Sequence, residues 1–244
     1  MRIFYTTPPS TFVTHDPRGR YYVAQLRGKD VAGISSLLPG GALPRPEWIT
    51  YVAVDSADAA AARARDAGGV IVVEPFDASR SGRVAVLRDP AGAAFGIVQA
   101  GLRRGAQLVN EPSAWAMSTL NTDDPEAATA FYQTLFGWEP APSGPGVTLL
   151  RLPGYVGGEP EQPIPRDVVA VMHAADGDAR WIVEILVADV DQAAATTVEH
   201  GGIVTVSPHE LPRFRNAVIA DPAGARLSLS QLVVPPRPHH RHRP

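Results

Sequence analysis

The sequence contains no cysteine, which excludes a disulfide framework, a thiol nucleophile and any zinc site built on thiolates. It has no apolar run near the roughly 18 residues of a spanning helix, and its first residues lack the apolar core of a signal peptide. These absences predict a soluble cytoplasmic protein with no membrane partner. An excess of positive charge is also missing: 22 basic against 25 acidic residues leave a formal charge of -3. Without a broad basic field the chain is a poor match for nucleic acid, Arg213, Arg215 and the tail arginines being local exceptions. What is present is a hydrophobic content of 45% over 244 residues, enough for a real core in one large or two ordinary domains. The 22 glycines and 24 prolines point to many short elements separated by turns, not to long helical bundles.

The chain repeats itself, and a repeat fixes architecture before any element is assigned. Trp48 matches Trp181, Gly68-Gly69 matches Gly201-Gly202, and Pro75 matches Pro208. After a one-residue gap Arg83 matches Arg215, and Asp89-Pro90 matches Asp221-Pro222. Each unit opens with a β-rich run, Trp48–Val54 or Trp181–Val187, whose side chains alternate between two faces. A short helix follows, with Ser56 or Asp189 as N-cap and the Gly pair as its left-handed stop. Strands are predicted at Val70–Val73, Arg83–Leu87 and Ala93–Gln99, and at Ile203–Val206, Arg215–Ile219 and Arg226–Val233. Asp-Pro-Ala-Gly makes the last turn, so the unit is βαβββ.

A third copy begins at Trp115, with Asp124 as N-cap, Pro125 at the first helical position and Gly137 ending the helix. Its later strands are Val147–Leu152 and Val168–His173, separated by a Gly/Pro-rich loop. Of a fourth copy only the second half is visible, at Tyr21–Ile34, because its opening strand and helix are replaced by MRIFYTTPPSTF. The expected fold class is α+β, with tandem βαβββ modules forming two half-open cup domains. Residues 1–100 make the first, residues 101–112 the linker, residues 113–234 the second, and residues 235–244 a disordered His/Arg/Pro tail that binds metal only adventitiously. The truncated module should leave a sheet edge that residues 1–12, a second chain in a homodimer, or a natural start further upstream would cover.

The modules, with D-P-E-A-A-x-x-F-Y-x-x-L-F-G-W at Asp124–Trp138 and D-P-A-G-A at Asp89–Ala93 and Asp221–Ala225, resemble the glyoxalase/bleomycin-resistance group, the vicinal oxygen chelate superfamily. The resemblance covers nearly the whole chain beyond its first twenty residues and short of the tail. It is nearest the tandem hydroxylase or glyoxalase-like subgroup, members of which occur in actinobacterial secondary metabolism. It implies a cup between two modules, where the superfamily's enzymes hold a divalent metal on His, Gln or Glu ligands. Carried over to this chain, those ligand positions fall at Ile49, Met117 and Ile182 on opening strands and at Gly96 and Ser228 on closing strands. None is a competent hard-metal ligand, so no metal and no other cofactor is expected.

Alternation along Trp181–Val187 places Ile182, Glu184 and Leu186 toward the second cup, with Met117, Thr119 and Asn121 across from them. A carboxylate among apolar side chains has a raised pKa and can exchange protons near neutrality. Glu184 is therefore the leading acid/base candidate, with Arg226, Ser228 and Ser230 on one face of the closing strand; the competing reading pairs Glu184 with Arg226 as a structural ion pair. His173 and His209 are further proton carriers, and Arg215 a further ligand contact. His200, at a helix C-terminus, and the aromatic set Phe131, Tyr132, Phe136 and Trp138 read as structural. The first cup, with Tyr51, Ala94, Gly96 and Val98, is apolar and small. The expected function is a metal-independent tailoring enzyme (cyclisation, isomerisation or dehydration) acting on a small, partly hydrophobic metabolite. The alternative is a sequestering protein of bleomycin-resistance type.

Overall fold

The structure, a computed structural model, describes residues 11–16, 19–35, 45–102 and 105–233. The expected tail and the segment before Thr11 lie outside the described residues. Strands β1 (Thr11–Asp16), β2 (Gly19–Leu26) and β3 (Lys29–Ser35) form a three-stranded antiparallel sheet. Strand β4 (Tyr51–Ala53) leads through helix α1 (Ala57–Asp66) to β5 (Val70–Asp77), β6 (Gly82–Arg88) and β7 (Ala94–Ala100), in a sheet ordered β4-β7-β6-β5. The second half holds β8 (Trp115–Thr122), α2 (Pro125–Phe136), β9 (Glu139–Gly144), β10 (Val147–Arg151) and β11 (Val168–Ala174). After them come β12 (Arg180–Leu186), α3 (Val190–Glu199), β13 (Ile203–Leu211), β14 (Phe214–Ala220) and β15 (Arg226–Leu232). These eight strands make one sheet, ordered β13-β14-β15-β12-β8-β11-β10-β9. The closing strand of each βαβββ unit returns parallel to its opening strand (β7 to β4, β11 to β8, β15 to β12), and β8 meets β12 antiparallel at the centre.

The helix boundaries follow the capping chemistry of the sequence. Ser56, Asp124 and Asp189 each accept a hydrogen bond from the backbone N–H three residues on, and Gly137 ends α2 in the left-handed region at φ 72°. The opening strand expected over Trp48–Val54 is shorter, three residues at the edge of its sheet, where among the described residues no second opening strand lies beside it as β8 lies beside β12. Residues 11–12, expected as cover for that edge, instead begin β1 on the far side of β2.

The largest core joins the two halves of the chain. Ala57, Ala60, Ala61 and Ala64 of α1, with Leu87, Phe95 and Ile97, pack against Leu120, Phe131, Tyr132, Trp138 and Trp181. The aromatic rings meet edge-on or stacked, at centroid distances between 4.9 and 6.3 Å in the Trp138–Phe136 and Trp138–Trp181 pairs. At its centre the Tyr132 hydroxyl accepts from Trp181 Nε1 at 2.8 Å and donates to Asp89 Oδ2 at 3.0 Å. Asp89 Oδ1 accepts the Ala93 N–H at 2.9 Å, so this buried carboxyl closes its own Asp-Pro-Ala-Gly turn and receives the third module's tyrosine. A second core gathers Trp48 with Val190, Ala217, Leu227 and Leu229.

Candidate functional site

The eight-stranded sheet assigns each face. Leu120 and Trp181 lie in the main core and Ile185 packs on the second, so alternation turns Met117, Thr119 and Asn121 of β8, and Ile182, Glu184 and Leu186 of β12, to the opposite, concave face. Register then sets their neighbours. Glu184 stands opposite Met117 on one side and Ser228 on the other, and Leu186 stands opposite Ser230. Ser230 in turn faces Asn216, and Asn216 faces His209 on β13. Met117, Ile182 and Leu186 are buried, giving the carboxyl an apolar surround.

Glu184 has two polar neighbours. The Asn216 amide donates to Glu184 Oε2 at 3.1 Å, and the Ser230 hydroxyl lies between the carboxyl and Asn216 Oδ1, 3.2 Å from the latter. Burial pushes the Glu184 carboxyl above the ordinary carboxylate range, with the Ser230 and Asn216 hydrogen bonds opposing in part. A hydroxyl carries one proton and serves one acceptor at a time. Protonated Glu184 can therefore donate to Ser230, Ser230 to Asn216 Oδ1, and Asn216 back to Glu184, a closed ring that holds the proton in place.

The remaining sequence candidates separate. Arg226 is exposed at the start of β15, opposite Ala220, and the ion pair of the competing reading, Glu184–Arg226, is not among the contacts of Glu184. Arg215 lies on the helix-bearing side, with Asp191 of α3 at 2.8 Å and Glu210 at 2.7 Å; Arg83 ties Asp58 and Asp77 in the same way in the second module. His173 is half-buried, and burial lowers its pKa and keeps it neutral. It stands opposite Asn121 on β8, two strands over and four residues along from Glu184, about 13 Å of strand length. His209 is exposed, its Nδ1 near Ser207 O at 3.0 Å.

Two contributors lie outside the residues singled out from the sequence. Asn216 shares a strand face with Val218, a signal that alternation within FRNAVIA carries. The other is the connection 152–167 between β10 and β11. It folds over the end of the cup nearest Met117, held by Asn110 Nδ2 on Gly158 O at 3.0 Å and Pro160 O at 2.9 Å. An open cleft there is lined by Trp115, Met117, Tyr155, Gln162, Ile164 and Arg166. Tyr155 and Arg166 come from a loop with no periodicity to read. In the first cup the Tyr51 ring lies directly on Gly96, leaving no room for any side chain at that position.

Three βαβββ units, two of them joined through the central β8–β12 pair, and a cup on the face away from the helices define a vicinal oxygen chelate fold. The solved structures agree. A Mn(II)-bound glyoxalase from Novosphingobium aromaticivorans has a TM-score of 0.55 at 13% identity, over 92% of this chain and 74% of that one. A homoprotocatechuate 2,3-dioxygenase from Arthrobacter globiformis also has 0.55, at 15% identity over 93% and 74%. The chain belongs to the glyoxalase-like family: a family model described as "Glyoxalase-like domain" matches residues 116–230. A protein of Mycobacterium tuberculosis named "Putative glyoxylase CFP32" is 35% identical over 86% of this chain and 80% of its own length. The anthracycline biosynthesis protein DnrV of Streptomyces peucetius is 36% identical over 76% of this chain and 66% of its own length.

The donor set in the second cup does not suit a transition metal. It offers one carboxylate, Glu184, with the Asn121 and Asn216 amides and the Thr119, Ser228 and Ser230 hydroxyls, and among the described residues no three His, Cys, Asp or Glu side chains gather as ligands. The protein lacking residues 235–244 is therefore expected to carry no stoichiometric transition metal. Elemental analysis showing about one tightly held Fe, Mn, Zn or Ni per chain would sink this.

Proposed function

We propose that this chain is a metal-independent acid/base catalyst that tailors a small, partly hydrophobic metabolite in the second cup. The observation that carries the reading is Glu184: a carboxyl raised by burial, set among apolar side chains and hydrogen-bonded to Ser230 and Asn216. As carboxylate, Glu184 takes a proton from a carbon beside a substrate carbonyl while the electron pair moves onto the carbonyl oxygen. The Thr119 or Ser228 hydroxyl donates to that oxygen. Return of the proton at a second position completes an isomerisation; its transfer instead to a hydroxyl on the neighbouring carbon, which leaves as water while the electron pair forms the double bond, completes a dehydration, and neither needs a redox partner. Similarity to an anthracycline biosynthesis protein supports a natural-product substrate. The open cleft beside Met117, where Trp115, Tyr155 and Ile164 stand beside Gln162 and Arg166, suits a sequestering role, which is the second reading.

Incubating the protein with anthracycline biosynthetic intermediates, with and without EDTA, separates these. Turnover undiminished by EDTA is the expected result. Saturable binding without product would favour sequestration, and turnover abolished by EDTA and restored by Mn(II) would overturn the metal-independent reading.

A further inference from the structure

The four central strands β8, β11, β12 and β15 hold one acidic residue, Glu184, and two arginines, Arg180 and Arg226. Leu227 and Leu229 lie in the second core and Trp181 in the first, so alternation turns both arginines to the concave face that carries Glu184. Register lays that face out in rows. Glu184 stands opposite Met117; Ile182, Thr119 and Val171 make the next row; Arg180, Asn121 and His173 make the third. Arg226 enters from β15, two residues before the Ser228 that faces Glu184. From the first row to the third is four residues of strand, about 13 Å. The face therefore passes from an acid/base group, through a largely apolar row with one hydroxyl, to an end that carries two guanidinium groups, an amide and an imidazole.

That end has donors to spare. Arg180 Nε donates to the backbone oxygen of Asp178 at 3.2 Å, which fixes the head at the rim of the cup, and among the described residues neither its terminal nitrogens nor Arg226 meets a carboxylate. Arg83 and Arg215, on the helix-bearing side, each hold two. The one carboxylate on these strands, Glu184, lies too far along β12 to neutralise Arg180. Asn121 and His173 are half-buried beside Arg180, and among the described residues their side chains make no hydrogen bond. Burial keeps His173 neutral, so it offers one N–H without adding to the charge.

We propose that Arg180 and Arg226, with Asn121 and His173 beside them, form a carboxylate subsite, so that the second cup takes an elongated, largely apolar carboxylic acid with its reacting carbon at Glu184 and its carboxylate at the far end. A guanidinium presents parallel N–H groups that match the two oxygens of a carboxylate, and the amide and imidazole supply further donors without charge. The row between, Ile182, Thr119 and Val171, suits a hydrophobic body bearing an oxygen substituent. Placing the reacting carbon rests on the acid/base reading of Glu184; the carboxylate subsite stands without it.

Equilibrium dialysis of the full chain against anthraquinone-2-carboxylate and, as its neutral match, anthraquinone-2-carboxamide tests the subsite without turnover. The wild type should hold the carboxylate about tenfold or more tighter than the amide, by a margin that shrinks with added salt. Arg180→Gln and, separately, Arg226→Gln should remove most of that margin by weakening the carboxylate while leaving the amide unchanged. Arg226 is exposed and Arg180 sits at the rim, so neither change opens the core, and circular dichroism checks the fold. Glu184→Gln should keep the margin. Equal affinity for the two probes, no binding of either, or a margin unchanged in either arginine variant would overturn the proposal. A carboxylate preference that persists while Glu184→Gln turns over normally would instead sink the acid/base reading and leave the subsite standing.

Discussion

Glu184→Gln is expected to lower turnover by about a hundredfold or more while leaving the protein at neutral pH as stable as the wild type or slightly more stable. The rate loss follows from replacing a group that exchanges a proton with an amide that cannot. The stability result follows from the neighbours of Glu184. A buried carboxylate paired to Arg226 would leave an uncompensated cation when neutralised, and the fold would weaken. Its hydrogen-bonded neighbours are instead the neutral Asn216 and Ser230, and a glutamine oxygen and amide can serve both. Burial raises the carboxyl's pKa in the folded state above its ordinary value. Such a group favours the fold most when protonated in both states, below the ordinary value, and that contribution is lost as pH rises through the folded value. The advantage of glutamine over glutamate should thus be present at pH 7 and vanish toward pH 4. Melting curves at both pH values beside turnover check both halves. Unchanged turnover would remove Glu184 from the chemistry and move attention to His173 and His209; a fall of several degrees at pH 7 would restore a structural charge pair.

Glu184 could be placed on the cup from the sequence because strand alternation is local: one apolar series, Trp181, Val183, Ile185, fixes what the other side carries. Its partners depend on register between strands, which local patterning does not contain. Glu184 stands opposite Ser228, two residues beyond Arg226, so the charge pair of the competing reading gives way to a contact with Asn216 from a further strand. Arg215 shows the same limit. Its repeat partner Arg83 was visible as a match, yet only the structure shows that both arginines tie a helix N-terminus to a strand through two carboxylates. The caps at Ser56, Asp124 and Asp189 were fully legible, since a cap is decided within four residues. The repeat landmarks Trp181 and Asp89 marked the repeated modules without revealing their task, because each acts on Tyr132 of a neighbouring module.

That task predicts the largest loss of stability from a single atom. Tyr132→Phe should cost about 2–4 kcal/mol, since it leaves a buried indole N–H and a buried carboxyl oxygen without partners at once. For a chain of this length that is a fall in melting temperature of about 5–15 °C. Phenylalanine keeps the ring contacts with Phe95, Phe131, Phe136, Trp138 and Trp181, so the effect isolates the hydroxyl. It should also depend on pH. Burial holds the Asp89 carboxyl above its ordinary value, with the Ala93 N–H and the Tyr132 hydroxyl opposing. Stability from the protonated form is complete below the ordinary value and lost as pH rises through the folded one. Removing the hydroxyl raises the folded value further, so the mutant should suffer most at neutral pH and progressively less as acidification neutralises the carboxyl. Trp181→Phe in the same background should then cost less than it does alone, because its N–H no longer has an acceptor to lose. A shift below about 2 °C at neutral and at acid pH, or strict additivity of the two substitutions, would mean that water satisfies these groups and that the three residues do not act as a unit.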